Sequence, residues 1–455
     1  MSGVVIGLEI HVSLKSASKL FCTCSADYRN AKPNSNVCEV CTGQPGSKPR
    51  AVNEKAIENA LKIASALECQ PEKGAVVVQR KHYWYPDLPS GYQRTSRPLG
   101  RNGRLLGVGI TEVHFEEDPG RYELKTGFVD FNRSGSPLLE VVTEPDMTSP
   151  KQAREFLDEL QAILEYLDAA KNDAGSTRID ANVSIRGSSR VEVKNINSFK
   201  GVFIALTYEI ARQKNLLKNN MTVVQETRHF DEDRNITLGL RKKETVDDYR
   251  YVPDPDIPPL ELSTEHVEKV KKGLPELPRE KRERFLKQYG IREEEAFTIC
   301  LEKEFADAFE AGSKKVDAKK LARFMRGMLK KQLNWRGLSF KDSKLTVGLV
   351  ADFVDMVEKK EVTEKVVEQL VITFLDRGVP PRVHAEKEGL LGIHKETKLE
   401  EAIEKVLAGN KKAVEDYLQG EEKALHFLAG QVMKATKGKA APNEVLEKLK
   451  NKMKK

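Results

Sequence analysis

Four of the chain's six cysteines, Cys22, Cys24, Cys38 and Cys41, fall within twenty positions, and this crowding restricts the N-terminal fold more than any other feature. Their spacing is C-x-C, thirteen residues, then C-x2-C, which lets four thiolates close tetrahedrally on one Zn²⁺ at about 2.3 Å. A site closed by four thiolates keeps no position for water, so such a zinc staples the loop from 22 to 41 and does no chemistry. The alternative is two unrelated pairs of free thiols. Six cysteines in 455 residues are too few for a disulfide scaffold, and their clustering suits a reducing compartment.

The chemistry must then lie elsewhere. Just ahead of the cysteines, "VVIGLEIHVSL" reads as a strand, and its Glu9 and His11 point to one face because strand side chains alternate. In "GITEVHFEEDPG", Glu112, His114 and Glu116 share a strand face, with Glu117 and Asp118 following. "PLLEVVTEPD" adds Glu140 and Glu144, and "RIDANVSI" adds Asp180. Carboxylates that converged without a cation would repel one another, whereas hard oxygen ligands suit Mg²⁺ or Mn²⁺ and the phosphates those ions carry. Spacing alone also fits carboxylates spread over solvent-facing strand positions. No G-x-x-x-x-G-K-[ST] loop occurs, so any nucleotide is held in another way. The stretch "RKHYWYPDLPSGYQR" sets His82, Tyr83, Trp84, Tyr85 and Tyr92 among Arg80, Lys81 and Arg94. It suits either stacking on a base with cations on phosphates, or core packing.

A chain of this length implies two to four domains. Residues 1–290 mix strand and helix signals. "NEKAIENALKIASALEC" is a helix behind an Asn53 cap, and "SPKQAREFLDELQAILEYLDA" is another, with Ser149 as cap, Pro150 at the first position and Gln152 completing a capping box. "STRIDANVSIRGSSRVEVKNINSF" reads as two strands joined at Gly-Ser-Ser, followed by a helix. The prolines of "YVPDPDIPPLELS" break the pattern, and charged helical repeats fill 291–380. Residues 381–455 read as a small helical tail. The expected class is α+β: a strand-rich mixed domain, a helical domain, then the tail. Net charge is +7, and from residue 431 onward eight Lys face two Glu, which marks either a nucleic-acid contact or a solvated lysine-rich helix. No signal peptide and no apolar run of about eighteen residues is present, so a cytoplasmic protein without a membrane span is expected.

Taken in order, "GLEIHVSL", "RKHYWYPDLPSGYQ", "HFEEDPG", "SPLLEVVTEPD", "RIDANVSI", "EVKNINSF", "QETRHFDE", "DDYRYVPDPDIPPL" and the terminal "FLAGQVMKATKGKAAPN" resemble the B subunit of the tRNA-dependent amidotransferases over nearly the whole chain. The resemblance implies a carbon–nitrogen ligase that works on misacylated tRNA with two partners, the amidase (the A subunit) and a small linking protein (the C subunit). ATP with Mg²⁺ (or Mn²⁺) would phosphorylate the side-chain carboxyl of Asp-tRNA(Asn), Glu-tRNA(Gln) or both, and ammonia drawn from glutamine by the amidase would displace the phosphate. The large inserted domain of the paralogue in the archaeal two-subunit glutamine enzyme is missing here. By the resemblance, Glu9, His11, Glu117, Glu140 and Asp180 are catalytic, and Glu9, His11, Glu116 or Glu117, Glu140 and Asp180 are metal ligands or their neighbours. Arg80, His82, Tyr83 and Arg94 are then expected at the nucleotide or the acceptor end, and the tail at the tRNA. The chain departs from the family's pattern in "YQRTS" and at Thr177 and Ile179, but keeps Asp180. The paired-serine amidase signature is absent, since Ser188 and Ser189 fall in a hairpin turn. A non-catalytic RNA-binding protein would have no use for the acidic strands, and a free-standing small-acid ligase none for the tail.

Overall fold

A computed structural model describes residues 3–173, 175–242, 249–391, 396–436, 440 and 442–453. The chain divides into two compact units, Met1–Pro278 and Arg279–Lys455. Sheet comes first and helices follow, so the class is α+β, as expected.

The first unit is built on the strand Val4–Ser13. Its Ile6, Leu8, Ile10 and Val12 are buried, while Glu9 and His11 alternate onto the opposite face. This strand lies antiparallel between Pro137–Thr143 and Thr177–Ile185. Val108–Glu117 flanks the former and Val191–Ile196 the latter, also antiparallel. Among the described residues the sheet has twelve strands, continuing past Val191–Ile196 into Glu226–Asp231, a parallel neighbour, and Ile236–Lys242. Three helices, Glu54–Ala66, Pro150–Leu167 and Phe199–Lys218, share one apolar core with the sheet through residues such as Leu61, Phe156, Leu160 and Leu206. Each fully buried Leu, Ile or Val is worth about 1.5–3 kcal/mol, and a one-residue slip would turn Glu9 and His11 into that core. The register is therefore firmly set, and the ionisable residues stay on the other face.

Local signals account for the ends of these elements. Ser149 caps its helix by accepting from Gln152 N at 3.2 Å, with Pro150 next. The capping box differs from expectation: Gln152 Oε1 accepts from Thr148 N at 2.9 Å, one residue before the cap, because the chain enters the helix with the Thr148 amide turned towards it. The turn at Gly187, at φ +88°, joins Thr177–Ile185 to Val191–Ile196 as expected.

The second unit begins at Arg279, twelve residues ahead of the boundary expected near 290. Strand signals had faded there, but the helix Pro278–Tyr289 packs by apolar contact: Phe285 is fully buried with its ring 5.1 Å from Phe309, and Lys281 and Arg284 pair with Asp307 and Glu310. "AKKLARFMRGMLKKQLNW" is not one regular helix, since Met325–Leu329 forms a π-turn between Ala318–Phe324 and Lys330–Trp335. From Leu399 onward a separate apolar cluster joins the tail helices Glu396–Gly409, Lys411–Leu418, Glu422–Ala435 and Pro442–Met453. Lys437, Lys439, Lys454 and Lys455 of the basic tail lie outside the described residues. Among those described, no helix is long and apolar enough to cross a membrane.

Asn53 does two jobs at once. Its Oδ1 caps Glu54–Ala66 by accepting from Ala56 N at 3.1 Å, and its Nδ2 donates to Ser16 Oγ and Ser18 Oγ at 3.0 and 2.9 Å, tying the helix to the segment that leads into the cysteines. Asn53→Ala is expected to lower stability by about 2 kcal/mol, a lost cap plus unpaired polar groups, read as a lower urea midpoint at unchanged m-value.

Candidate functional site

Register alone sets the first half of the site. Across three neighbouring strands, His11 faces Glu140 and Glu140 faces His114, so an acid sits between two imidazoles on the ionisable face. His11 Nε2 lies 3.6 Å from Glu140 Oε2 and 3.7 Å from Glu116 Oε1, and His114 Nε2 lies 3.1 Å from Glu140 Oε2. Burial works against a charged His11, but its hydrogen bond with Glu140, the charge of Glu140, and Glu116 and Asp180 outweigh it and push the imidazole up to about 9. Burial likewise opposes ionisation of Glu140, yet His114 and His11 hold it well below the usual carboxylate range. His11, Glu116 and Glu140 each offer a ligand atom within 4.8 Å of the others.

The second half lies beside it on the same face. Glu9 pairs in register with Asp180, and Glu192 comes in from the next strand, giving a second set of three ligand atoms within 4.8 Å. Burial raises the Glu9 carboxyl, with Glu140, Glu192 and Asp180 adding to the rise and Lys194 opposing it. Asn182 Nδ2 donates to Glu9 Oε1 at 2.9 Å, and Lys194 Nζ donates to Asp180 Oδ2 at 2.9 Å and lies 3.5 Å from Glu192 Oε1. A cavity of about 300 Å³ adjoins Glu9, lined in part by Gly7, Thr143, Asn182 and Arg190. The donors are carboxylate oxygens and one imidazole, the chemistry that fits Mg²⁺ or Mn²⁺, and oriented partners such as Asn182 and His114 are what such ligands need.

Most of the expected residues therefore come together: Glu9, His11, Glu116, Glu140 and Asp180 line one patch. Glu117 does not. It falls on the opposite parity from Glu116, and its carboxylate stands 3.4 Å from Arg94 Nη1; burial lifts that carboxyl in spite of Arg94. Arg80 and Arg94 both clamp the wholly buried Asp254, Arg80 through Nε and Nη2 at 2.9 and 3.0 Å and Arg94 through Nε at 2.8 Å. His82 Nδ1 contacts Arg250 O at 2.8 Å, and Tyr83 Oη donates to Gln93 Oε1 at 3.1 Å. These contacts tie the four residues to neighbouring segments of the first unit. Glu192 and Lys194 were not among the residues expected at the site. They alternate along "VEVKNI", and that period of two was the available signal.

The cysteines converge too. The four sulfurs lie within 4.8 Å of one another, with Cys38 and Cys41 at 3.9 Å, close to the roughly 3.8 Å edge of a tetrahedron with 2.3 Å metal–sulfur bonds. Cys38 N and Lys19 Nζ donate to Cys41 Sγ at 3.2 and 3.3 Å. The hydrogen bond with Cys22 lowers the Cys41 thiol against the effect of burial, helped by the Cys38 amide and Lys19. This cluster can hold a structural metal.

The model of the GatB/GatE catalytic domain matches residues 4–268, which contain every residue of both acidic clusters and all four cysteines. The model of the GatB domain matches residues 307–453. A relative from Methanothermobacter thermautotrophicus is 49% identical over 447 residues, covering 98% of this chain and 99% of its own length. One from Methanobrevibacter smithii is 48% identical with the same coverage, and one from Methanopyrus kandleri is 46% identical over 458 residues. All three are named as the B subunit of an aspartyl/glutamyl-tRNA(Asn/Gln) amidotransferase. The chain belongs to this family of amidotransferase B subunits.

Asp254 compensates two guanidiniums at once, so Asp254→Ala leaves both without their buried acid. The expected cost is about 3–5 kcal/mol, seen as a lower thermal midpoint.

Proposed function

We propose that this chain phosphorylates the side-chain carboxyl of Asp-tRNA(Asn), Glu-tRNA(Gln) or both at the expense of ATP, and then forms the amide with ammonia. The observation that carries this reading is the pair of acidic clusters side by side on one sheet face, His11–Glu116–Glu140 and Glu9–Asp180–Glu192. A carboxylate is a poor acyl donor because its leaving group would be oxide. Transfer of the γ-phosphoryl group to it gives an acyl phosphate, and attack by ammonia releases phosphate, a good leaving group, with loss of one proton from nitrogen. Such transfer needs positioning and charge stabilisation more than covalent help from the protein.

The two clusters would each hold a Mg²⁺ or Mn²⁺ ion, which when bound supplies neutralisation of phosphate charge. The chain's own residues do the rest. His114 orients Glu140 from one side, Asn182 fixes Glu9, and Lys194 fixes Asp180. The apolar core beneath holds all of them on rigid strands. The four cysteines would bind Zn²⁺ as a closed structural site. Such a site offers glutamine no thiol nucleophile: four of the six cysteines form the zinc cluster, and neither Cys69 nor Cys300 belongs to the acidic clusters. An amidase partner must therefore supply ammonia. A small linking protein and the tRNA, held through the basic helical tail, complete the assembly.

The test is amide formation on misacylated tRNA. The chain should make amide from ATP and an ammonium salt, and should use glutamine only with an amidase partner. His11→Ala and Asp180→Asn should abolish ADP formation coupled to the aminoacyl group while leaving tRNA affinity largely intact, and Asn182→Ala should cost about ten- to a hundredfold. Glutamine-dependent product from the chain alone, or equal loss of tRNA binding in both variants, would overturn the assignment. Metal analysis should find about one equivalent of zinc in purified protein, lost together with thermal stability on Cys38→Ser.

A further inference from the structure

The row that joins His11, Glu140 and His114 has a fourth member. On the other side of His11, across the antiparallel ladder, stands Arg178. It comes from Thr177–Ile185, two residues before Asp180, and so lies on the same ionisable face.

Arg178 is fixed at one edge only. One Nη2–H bonds Asp118 Oδ1 at 2.7 Å, and Asp118 is 2% exposed with its own backbone pinned: its amide donates to Ser136 O and its carbonyl accepts from Gly135 N, both at 2.9 Å. Asp118 also faces a second guanidinium, Arg133, whose Nε lies 3.5 Å from the same oxygen. The same Nε donates to Pro119 O at 2.9 Å, and Arg133 Nη2 donates to Gly120 O at 2.6 Å. Two guanidiniums thus share one carboxylate. The remaining donors of Arg178 make no hydrogen bond among the described residues, and the side chain keeps 27% of its surface open. The contrast with Arg94 is plain, since that guanidinium is spent on Asp254, Glu117 and Tyr92. An anchored guanidinium with unengaged donors, next to a metal-binding set of carboxylates, is arranged to receive an oxyanion through two N–H bonds, which a lysine ammonium cannot do.

We propose that Arg178 is a catalytic residue whose open guanidinium edge bonds the oxyanion at the reacting centre, with Asp118 as its positioning residue. The oxygens belong either to the transferred phosphoryl group or to the carboxylate that receives it. This inference rests on the phosphoryl-transfer reading above. It adds a cation from the protein on the side of His11 away from Glu140.

The test uses the chain assembled with its partner proteins, misacylated tRNA and ATP. Arg178→Ala should lower aminoacyl phosphorylation by about a hundredfold or more, while Mn²⁺ binding followed by electron paramagnetic resonance and the thermal midpoint stay as in the wild type. Added guanidinium chloride should restore part of the rate to Arg178→Ala, and Arg178→Lys should remain impaired. A fall in the ATP hydrolysis seen without tRNA would place the bonded oxygens on phosphate; a fall confined to the tRNA-dependent reaction would place them on the carboxylate. An Arg178→Ala rate within about twofold of wild type, or a loss that guanidinium does not relieve and that tracks loss of Mn²⁺ binding, would overturn the proposal. A wild-type assembly that forms no ADP in response to misacylated tRNA would instead bring down the functional reading on which it rests.

Discussion

Ile6, Leu8, Ile10 and Val12 are almost without exposed surface, and their burial is what places Glu9 and His11. The opening strand is central in the sheet, with helices sharing the core beneath it and antiparallel neighbours on both sides. Because side chains alternate, the same apolar residues that fix the register turn the acidic and imidazole groups away from the apolar core, and the neighbouring strands bring theirs to the same face by the same rule. The site is thus a by-product of a well-packed core. It needs no flexible loop to assemble it, and it inherits the rigidity of the sheet.

Bringing so many carboxylates together has an electrostatic cost, and the structure offsets it in two distinct ways. At the periphery, acids are neutralised permanently: Asp254 by Arg80 and Arg94, Asp118 by Arg133 and Arg178. In the centre, neutralisation is partial. Glu140 is held ionised between His11 and His114, while burial raises the Glu9 carboxyl against the opposing charge of Lys194. At the centre the two sets His11–Glu116–Glu140 and Glu9–Asp180–Glu192 offer hard donors whose chemistry fits a divalent ion. The cysteine cluster stands apart in chemistry, with soft sulfur donors and a buried Lys19 beside Cys41.

The helical unit shows another balance. Its first helix is charged and short of apolar residues, yet Phe285 anchors it against Phe309, with Tyr289 of the same helix packed edge-on to that ring. Strand signals end earlier than helical packing becomes visible in the sequence, which is why the boundary shifts to Arg279. The π-turn at Met325–Leu329 is equally silent in the sequence, since a π-turn breaks the helical period locally without a proline to mark it.

The sequence by itself determined what depends on local periodicity and on chemical type. The alternation of the opening strand, the caps at Asn53 and Ser149, the hairpin after Ile185 and the cysteine spacing were all legible, because each is set by residues a few positions apart. The acids that the family motifs single out, Glu9, Glu140 and Asp180, are found on one sheet face, and Glu117 is not. Only the tertiary structure decided which of two adjacent glutamates joins the patch: Glu116 faces His11, while Glu117 turns to Arg94. It also brought in Glu192, spent Arg80 and Arg94 on Asp254, and left Arg178 open beside His11. Those outcomes depend on which strands are neighbours and in what register, and pairing between segments more than a hundred residues apart leaves no trace in the order of residues along either one.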